Sequence, residues 1–134
     1  MIYSAREFLD LRNSDRREDY LRAANEPAAL EIWLEIVRDF PEMKVWVAHN
    51  KTVPAEILEI LAKDPDATVR HAVAMKNKLS AHLMLLLASD IEFSVRQRIV
   101  YNKNAGEAVL RKLIDDPSET ISLIARNRLF GEKG

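Results

Sequence analysis

The residues of this chain that could do chemistry are acid–base pairs that recur at a fixed interval. Asp64 is followed six residues later by Arg70, and Asp90 is followed at the same spacing by Arg96. A carboxylate beside a guanidinium can hold a charged ligand, or it can form a bidentate ion pair that positions the backbone. The residue types alone leave both interpretations open.

The other residue types used in catalysis and metal binding are not arranged for either purpose. The histidines His49, His71 and His82 lack the His-x-x-x-His or Glu-x-x-His spacing that a helical zinc site needs. The chain has no cysteine, so disulfides and thiolate metal sites are excluded. It also lacks a Gly-x-Ser-x-Gly sequence and a glycine-rich phosphate loop. We therefore predict that the protein is not an enzyme and has no metal site or cofactor.

The acid–base pairs belong to a longer repeat. Residues 64–70, 90–96 and 116–122 share a pattern in which an aspartate is followed five residues later by valine or isoleucine. A fixed period between 20 and 50 residues is typical of a solenoid, in which each unit packs on its neighbours. Before the aspartate lies a helix A, with apolar residues at i, i+3 and i+4, and after it lies a shorter helix B.

The repeat extends over most of the chain. Helix A is predicted at 54–63, 80–88 and 106–114, and helix B at 69–75 and 95–101. A first pair matches at 27–34 and 44–50 if one residue is skipped, and a final helix B at 121–127 is one residue short. Asn50 and Asn102 close two B helices, where left-handed backbone is expected. We predict an all-α fold, an α-solenoid of about four helix pairs over residues 27–130.

Residues 1–26 do not repeat and are predicted to form an N-terminal helical cap. Two helix-start patterns occur there, Ser4 with Glu7 and Asp15 with Glu18. A solenoid needs such a cap because the apolar end of the stack would otherwise be exposed. The residues expected in the core of this region and the first repeat are Phe8, Leu9, Tyr20, Leu21, Trp33 and Trp46.

The repeat resembles known helical-repeat families. Residues 50–64 and 69–74 look like the variant leucine-rich repeat, and they are also similar to HEAT repeats, which share the Asp followed by Val and Arg. The resemblance implies a right-handed superhelix of paired helices without enzyme activity. It also implies that the aspartates and arginines bridge each turn to its neighbour, a structural role. Ser122 replaces the arginine in the final copy, which has no successor to bridge.

Charge and surface positions indicate where a partner binds. The B helices and their following turns are rich in lysine and arginine, whereas the A helices are more acidic, so the net charge of −1 conceals a dipolar molecule. The B helices commonly line the inner surface of such stacks, where ligands bind. The predicted partner-binding row on their outward side is His49, His71, Met75, Lys76, Gln97, Tyr101 and Arg126.

We predict a non-enzymatic protein-interaction module, a small bacterial-type scaffold that binds one protein partner with an acidic surface. One specific version is an immunity protein that neutralises a toxin. The alternative is nucleic-acid binding, in which the basic B-helix face holds the phosphate backbone. No apolar run approaches the ~20 residues of a membrane span, and the N-terminus has no signal pattern. We therefore expect a cytoplasmic monomer or weak dimer without membrane contact.

Overall fold

Ten α-helices and one short 3-10 helix make up the fold in the computed structural model, which describes residues 1–131. They are α1 (Ala5–Asn13), α2 (Arg17–Asn25), α3 (Leu30–Asp39), the 3-10 helix Pro41–Met43, α4 (Lys44–His49), α5 (Ala55–Ala62), α6 (Ala67–Ala74), α7 (Ala81–Leu87), α8 (Phe93–Tyr101), α9 (Glu107–Leu113) and α10 (Glu119–Phe130). Within this range there is no strand beyond an isolated parallel bridge between Ile2 and Ala28. The predicted all-α class is confirmed. In the repeat pattern α3, α5, α7 and α9 are A helices, and α4, α6, α8 and α10 are B helices.

Short polar side chains start several of these helices. The Ser4 hydroxyl accepts a hydrogen bond from the Glu7 N–H, and the Asp66 carboxylate accepts one from the first turn of α6. Such bonds satisfy N–H groups that have no partner inside the helix. The start predicted at Asp15 is displaced, because Arg16 precedes α2 and makes no side-chain capping bond.

Residues 1–26, predicted to form an N-terminal cap, lie in the first of two compact units, Met1–Asp64. In this unit α1 packs on α2 and α3, while α4 packs on α2, α3 and α5. The rings of Phe8 and Trp33 meet edge to face with 5.4 Å between their centroids, and both side chains are fully buried. Edge-to-face contact between aromatic rings stabilises a core beyond the burial of their area.

Helix α2 contributes less to this core than its sequence suggests. Tyr20 and Leu21 are 41% and 42% exposed, so the prediction that both are buried is wrong. The helix instead turns Ala23 and Ala24 toward its neighbours, and both are buried. Small side chains let helices approach closely, and the close approach leaves no room for the larger residues on the same side.

The second compact unit begins at Pro65. Its B helices lie in one row, in which α6 contacts α8 and α8 contacts α10, and its A helices α7 and α9 pack on each other and on this row. The buried apolar residues recur at equivalent positions of the repeat, as Val69 and Val73, Val95 and Ile99, then Ile121 and Ala125. The repeat therefore describes burial as well as sequence in this unit, and the right-handed superhelix stays a prediction.

A ladder of ion pairs accompanies the repeat. Each pair joins a basic residue near the start of a B helix to the aspartate that follows the next A helix: Lys44 to Asp64, Arg70 to Asp90, and Arg96 to Asp116. The N–O distances are 2.7, 2.8 and 2.7 Å, and the three carboxylate side chains are 10%, 6% and 3% exposed. The two arginines bind their aspartates with two nitrogens each, so these pairs fix direction as well as distance.

The ladder runs between copies and not within one copy. The carboxylate partner of Arg96 is Asp116, whereas Asp90 of its own copy receives a hydrogen bond from Arg96 only at the main-chain oxygen. The spacing along the chain grouped Arg96 with Asp90, whereas the resemblance to helical repeats implied a bridge to the neighbouring copy, as seen here. Ser122 occupies the arginine position of the final copy, and its hydroxyl donates to the Ile114 carbonyl.

A second ladder joins the ends of the B helices. The buried Asn50 side chain donates from Nδ2 to the carbonyls of Ala23 and Glu26, at 2.8 and 3.0 Å. The buried Asn102 side chain donates to the carbonyl of Lys76, its equivalent in the preceding copy, at 3.0 Å. Asn102 therefore ties its B helix to the main chain of the preceding copy, and Asn50 ties the first B helix to the segment that precedes the repeat.

The backbone at these asparagines is extended, with φ of −63° at Asn50 and −65° at Asn102. The expectation of left-handed geometry is wrong, because the amide side chain and not the backbone conformation explains these residues.

The 26-residue period continues to the last helix of the repeat. Arg128, at the position equivalent to Asn102, donates to the carbonyls of Asn102 and Val100. Helix α10 runs to Phe130, so the final helix B is not shortened.

None of the helices in residues 1–131 combines the length and the apolar character needed to cross a lipid bilayer.

Candidate functional site

Met75 and Tyr101 are two exposed residues of the predicted partner-binding row, and they lie at the ends of neighbouring B helices. Met75 is 51% exposed at the end of α6, and Tyr101 is 58% exposed at the end of α8. They hold equivalent positions in successive copies, on two helices in direct contact. His71 and Gln97 lie one turn earlier on the same two helices and are half-buried. These four residues share one side of the row.

Lys76 and Arg126 are placed differently from these four residues. Lys76 is half-buried at the position that Asn50 and Asn102 hold in other copies, and burial lowers the pKa of its ammonium group. Arg126 holds the position of the buried Val100 and is itself exposed. Arg126 comes one residue before the position of α10 that is equivalent to Tyr101. Successive residues of a helix differ in direction by about 100°, so the Arg126 side chain points about 100° away from that position. His49, the remaining predicted residue, is exposed at the end of α4 in the N-terminal unit.

Three large apolar residues on the same side of this row were not predicted. Phe93, Leu123 and Phe130 are 43%, 56% and 51% exposed. The repeat contained the signal for two of them, because Phe93 lies one helical turn before Gln97 and Leu123 holds the position of Gln97 in the next copy. We call the set Met75, Phe93, Tyr101, Leu123 and Phe130 the outer B face.

A shallow depression borders the outer B face. It is lined by Ala67, Thr68 and His71 of α6 and by Ser94 of α8. Small side chains at three of these four positions leave this space between the first turns of the two helices. The depression therefore offers a partly polar recess beside an apolar surface, an arrangement typical of interfaces with other proteins.

The charge of the C-terminal unit is positive. Residues 65–131 carry ten lysines and arginines against seven aspartates and glutamates, whereas residues 1–64 carry nine against thirteen. Two of the ten, Arg70 and Arg96, are bound in the ion-pair ladder. Arg98, Lys103 and Arg126 are exposed, and no aspartate or glutamate of residues 1–131 forms an ion pair with them. These three residues contribute exposed positive charge on α8, on the turn after it and on α10.

A second cluster of polar and aromatic side chains lies in the N-terminal unit. The Arg12 guanidinium carbon is 3.6 Å from the centroid of the Trp46 ring and 5.2 Å from that of Tyr20. The Tyr20 hydroxyl is 3.3 Å from Nε2 of His49. Trp33 is fully buried as predicted, but Trp46 is only half-buried and carries the arginine on its face. We call Arg12, Tyr20, Trp46 and His49 the Arg12 cluster.

Burial lowers the pKa of Arg12, and no carboxylate offsets this effect. An arginine remains charged at neutral pH even so, because its ordinary pKa is above 12. The electron-rich face of an indole partly compensates the lost hydration. Sequence reasoning missed Arg12 because contact between residues 12 and 46 follows from helix packing and not from any local spacing.

No group of three or more histidine, aspartate or glutamate side chains in the described part of the chain is arranged to hold a metal ion. Comparison of the chain with protein-family models, with curated proteins and with solved structures found no match.

Proposed function

We propose that the protein is a non-enzymatic interaction module that binds one protein partner through the outer B face. The observation that carries this proposal is the exposure of five large apolar side chains on one side of three adjacent helices, α6, α8 and α10. Contiguous apolar surface is costly to leave in water, and in a folded protein it marks a site of association.

The partner combines an apolar anchor with acidic groups. Tyr101 and Phe93 supply rigid aromatic contact area, the residue type that dominates binding energy at protein interfaces. Arg98 and Lys103 on the same helix and its following turn favour acidic groups on the partner, which steer association and orient the complex. Neutralisation of a toxin is one role such a complex would serve, and it stays a prediction.

Nucleic-acid binding is the second candidate function. It is favoured by the exposed cations Arg98, Lys103 and Arg126, which lie in a unit with an excess of positive charge. Phosphate contacts need cations and not apolar surface, and single-strand binding needs a series of stacking aromatics. The apolar residues of the outer B face therefore support the protein partner more strongly.

The proposal is tested by substituting the central aromatic residue. A partner recovered with the wild-type chain should bind Tyr101→Ala at least about thirtyfold more weakly, the loss expected for a hot-spot residue. The melting temperature should change little because Tyr101 is 58% exposed. Tyr3→Ala is the matched control, since Tyr3 is 74% exposed in the N-terminal unit. Wild-type affinity of the Tyr101 variant would refute the proposed surface.

A further inference from the structure

Arg12 differs from the other half-buried arginines in what surrounds its charge. Residues 1–131 contain four of them: Arg12, Arg22, Arg70 and Arg96. Arg22 binds Glu7 and Glu26, and this contact lowers the pKa of Glu26 to about 2. Arg70 and Arg96 bind the aspartates of the ladder. Only Arg12 among the four has no ion pair with a carboxylate of the described residues.

The guanidinium N–H groups of Arg12 accordingly make no hydrogen bond with residues 1–131. Its Nε–H is buried and finds no acceptor within residues 1–131, whereas its two terminal nitrogens are not enclosed. A buried donor without a partner destabilises the folded protein. The two terminal nitrogens also make no hydrogen bond with these residues, so they stay open to a ligand that approaches from solvent.

The aromatic neighbours hold the guanidinium in a fixed orientation. A guanidinium over an indole uses its flat face for that contact and keeps its N–H groups in the plane of its edge. Two parallel N–H groups at such an edge match the two oxygens of a carboxylate or a phosphate. The Tyr20 hydroxyl, beside His49, adds a polar group next to the same ring system.

We propose that the Arg12 cluster is an oxyanion-binding site, in which Arg12 binds two oxygens of a carboxylate or phosphate group and Trp46 and Tyr20 hold the arginine in place. The site lies in the N-terminal unit and shares no residue with the outer B face. A purely structural role for Arg12 is the competing explanation, since its contact with Trp46 also ties α1 to α4.

Nuclear magnetic resonance separates these two explanations. The probes are acetate and inorganic phosphate, each titrated at constant ionic strength against chloride. The signals to follow are the Arg12 Nε–H and the Trp46 indole N–H, and the indole N–H of the fully buried Trp33 serves as an internal control. A saturable shift of the first two signals with either ion supports the site, and the ion that binds more tightly identifies carboxylate or phosphate as the ligand.

Two variants complete the test. Arg12→Gln should weaken the binding at least about tenfold, which corresponds to the loss of one charge-assisted hydrogen bond. Arg17→Gln, a change of the same charge at an exposed position, should bind like the wild type. If Arg12→Gln does not fold, Arg12→Lys keeps the charge without the paired donors and should show the same loss. Shifts that match those in chloride, or binding that Arg12→Gln retains, would overturn the proposal.

Discussion

Single side chains decide which cations of this molecule are structural and which are available to a partner. Arg96 is 13% exposed and bound to Asp116, whereas Arg98, two residues later, is exposed on the same helix. The two arginines would look alike in a count of charge. A buried ion pair holds its geometry because breaking it leaves the other charge without compensation.

Replacing Arg96 with alanine should lower the free energy of unfolding by about 1–4 kcal/mol, because Asp116 is 3% exposed and would lose its guanidinium partner. Arg98→Ala is the control and should change stability by less than about 0.5 kcal/mol. Urea denaturation of the two variants measures both values. Equal midpoints for the two variants would show that the ladder does not contribute to stability.

The spacing along the chain predicted the two arginines of this ladder, and the resemblance to helical repeats implied that they bridge neighbouring copies, but Lys44 was not predicted as a member. Asp90 and Arg96 are six residues apart, and a local pattern favours partners at short separation. The actual partner of Arg96 lies beyond the next A helix, because that helix returns the chain to the start of the B helix. Such a contact depends on how helices pack, which the spacing of charges along one copy does not contain.

Helices in this molecule are joined at their ends by side-chain amides. Asn102 ends α8 and donates to the carbonyl of Lys76, just beyond the end of α6. Its Oδ1 accepts the N–H of Asn104, so the amide is used from both sides. The helices themselves were predictable from their apolar periodicity and from caps such as Ser4 and Asp66. The amide bonds were not, since an asparagine after a helix more commonly indicates left-handed backbone.

Glycine at position 102 distinguishes the two roles of this asparagine. If the amide side chain is what matters, Asn102→Gly and Asn102→Ala should both lose about 1–3 kcal/mol of stability, because buried main-chain groups lose their partner. If left-handed backbone were required, glycine would be tolerated and only alanine would be destabilising. Thermal melts compare the two variants, with Asn77→Ala at an exposed loop position as control.

The whole molecule carries its charges unevenly, with an acidic N-terminal unit and a basic C-terminal unit. The sequence indicated a dipolar chain, but it assigned the contrast to alternating A and B helices. The ladder changes this assignment, because Lys44, Arg70 and Arg96 are bound to carboxylates. The difference in net charge that remains is between the N-terminal and C-terminal units, and not between A helices and B helices.

Salt dependence should separate the two candidate functions. A complex in which Arg98, Lys103 and Arg126 neutralise three phosphates should lose about fortyfold in affinity between 50 and 200 mM salt. A complex formed mainly by the apolar outer B face should lose only a few-fold, because burial of apolar surface is not screened by ions. Titration of the recovered partner, and of a random DNA duplex, across this range measures both slopes. Binding of the DNA duplex with the steep slope, at an affinity equal to or above that of the partner, would favour the nucleic-acid function.

The two ladders also bear on how such a chain changes over generations. Residues 80–105 contain one aspartate, one arginine and one asparagine at ladder positions, Asp90, Arg96 and Asn102. A tandem duplication of this segment would place each new donor opposite an acceptor, because the new copy would present the same groups to its neighbours as residues 80–105 do. It would also add a further tyrosine to the outer B face. One duplication would thus enlarge the outer B face without requiring a new kind of contact between copies.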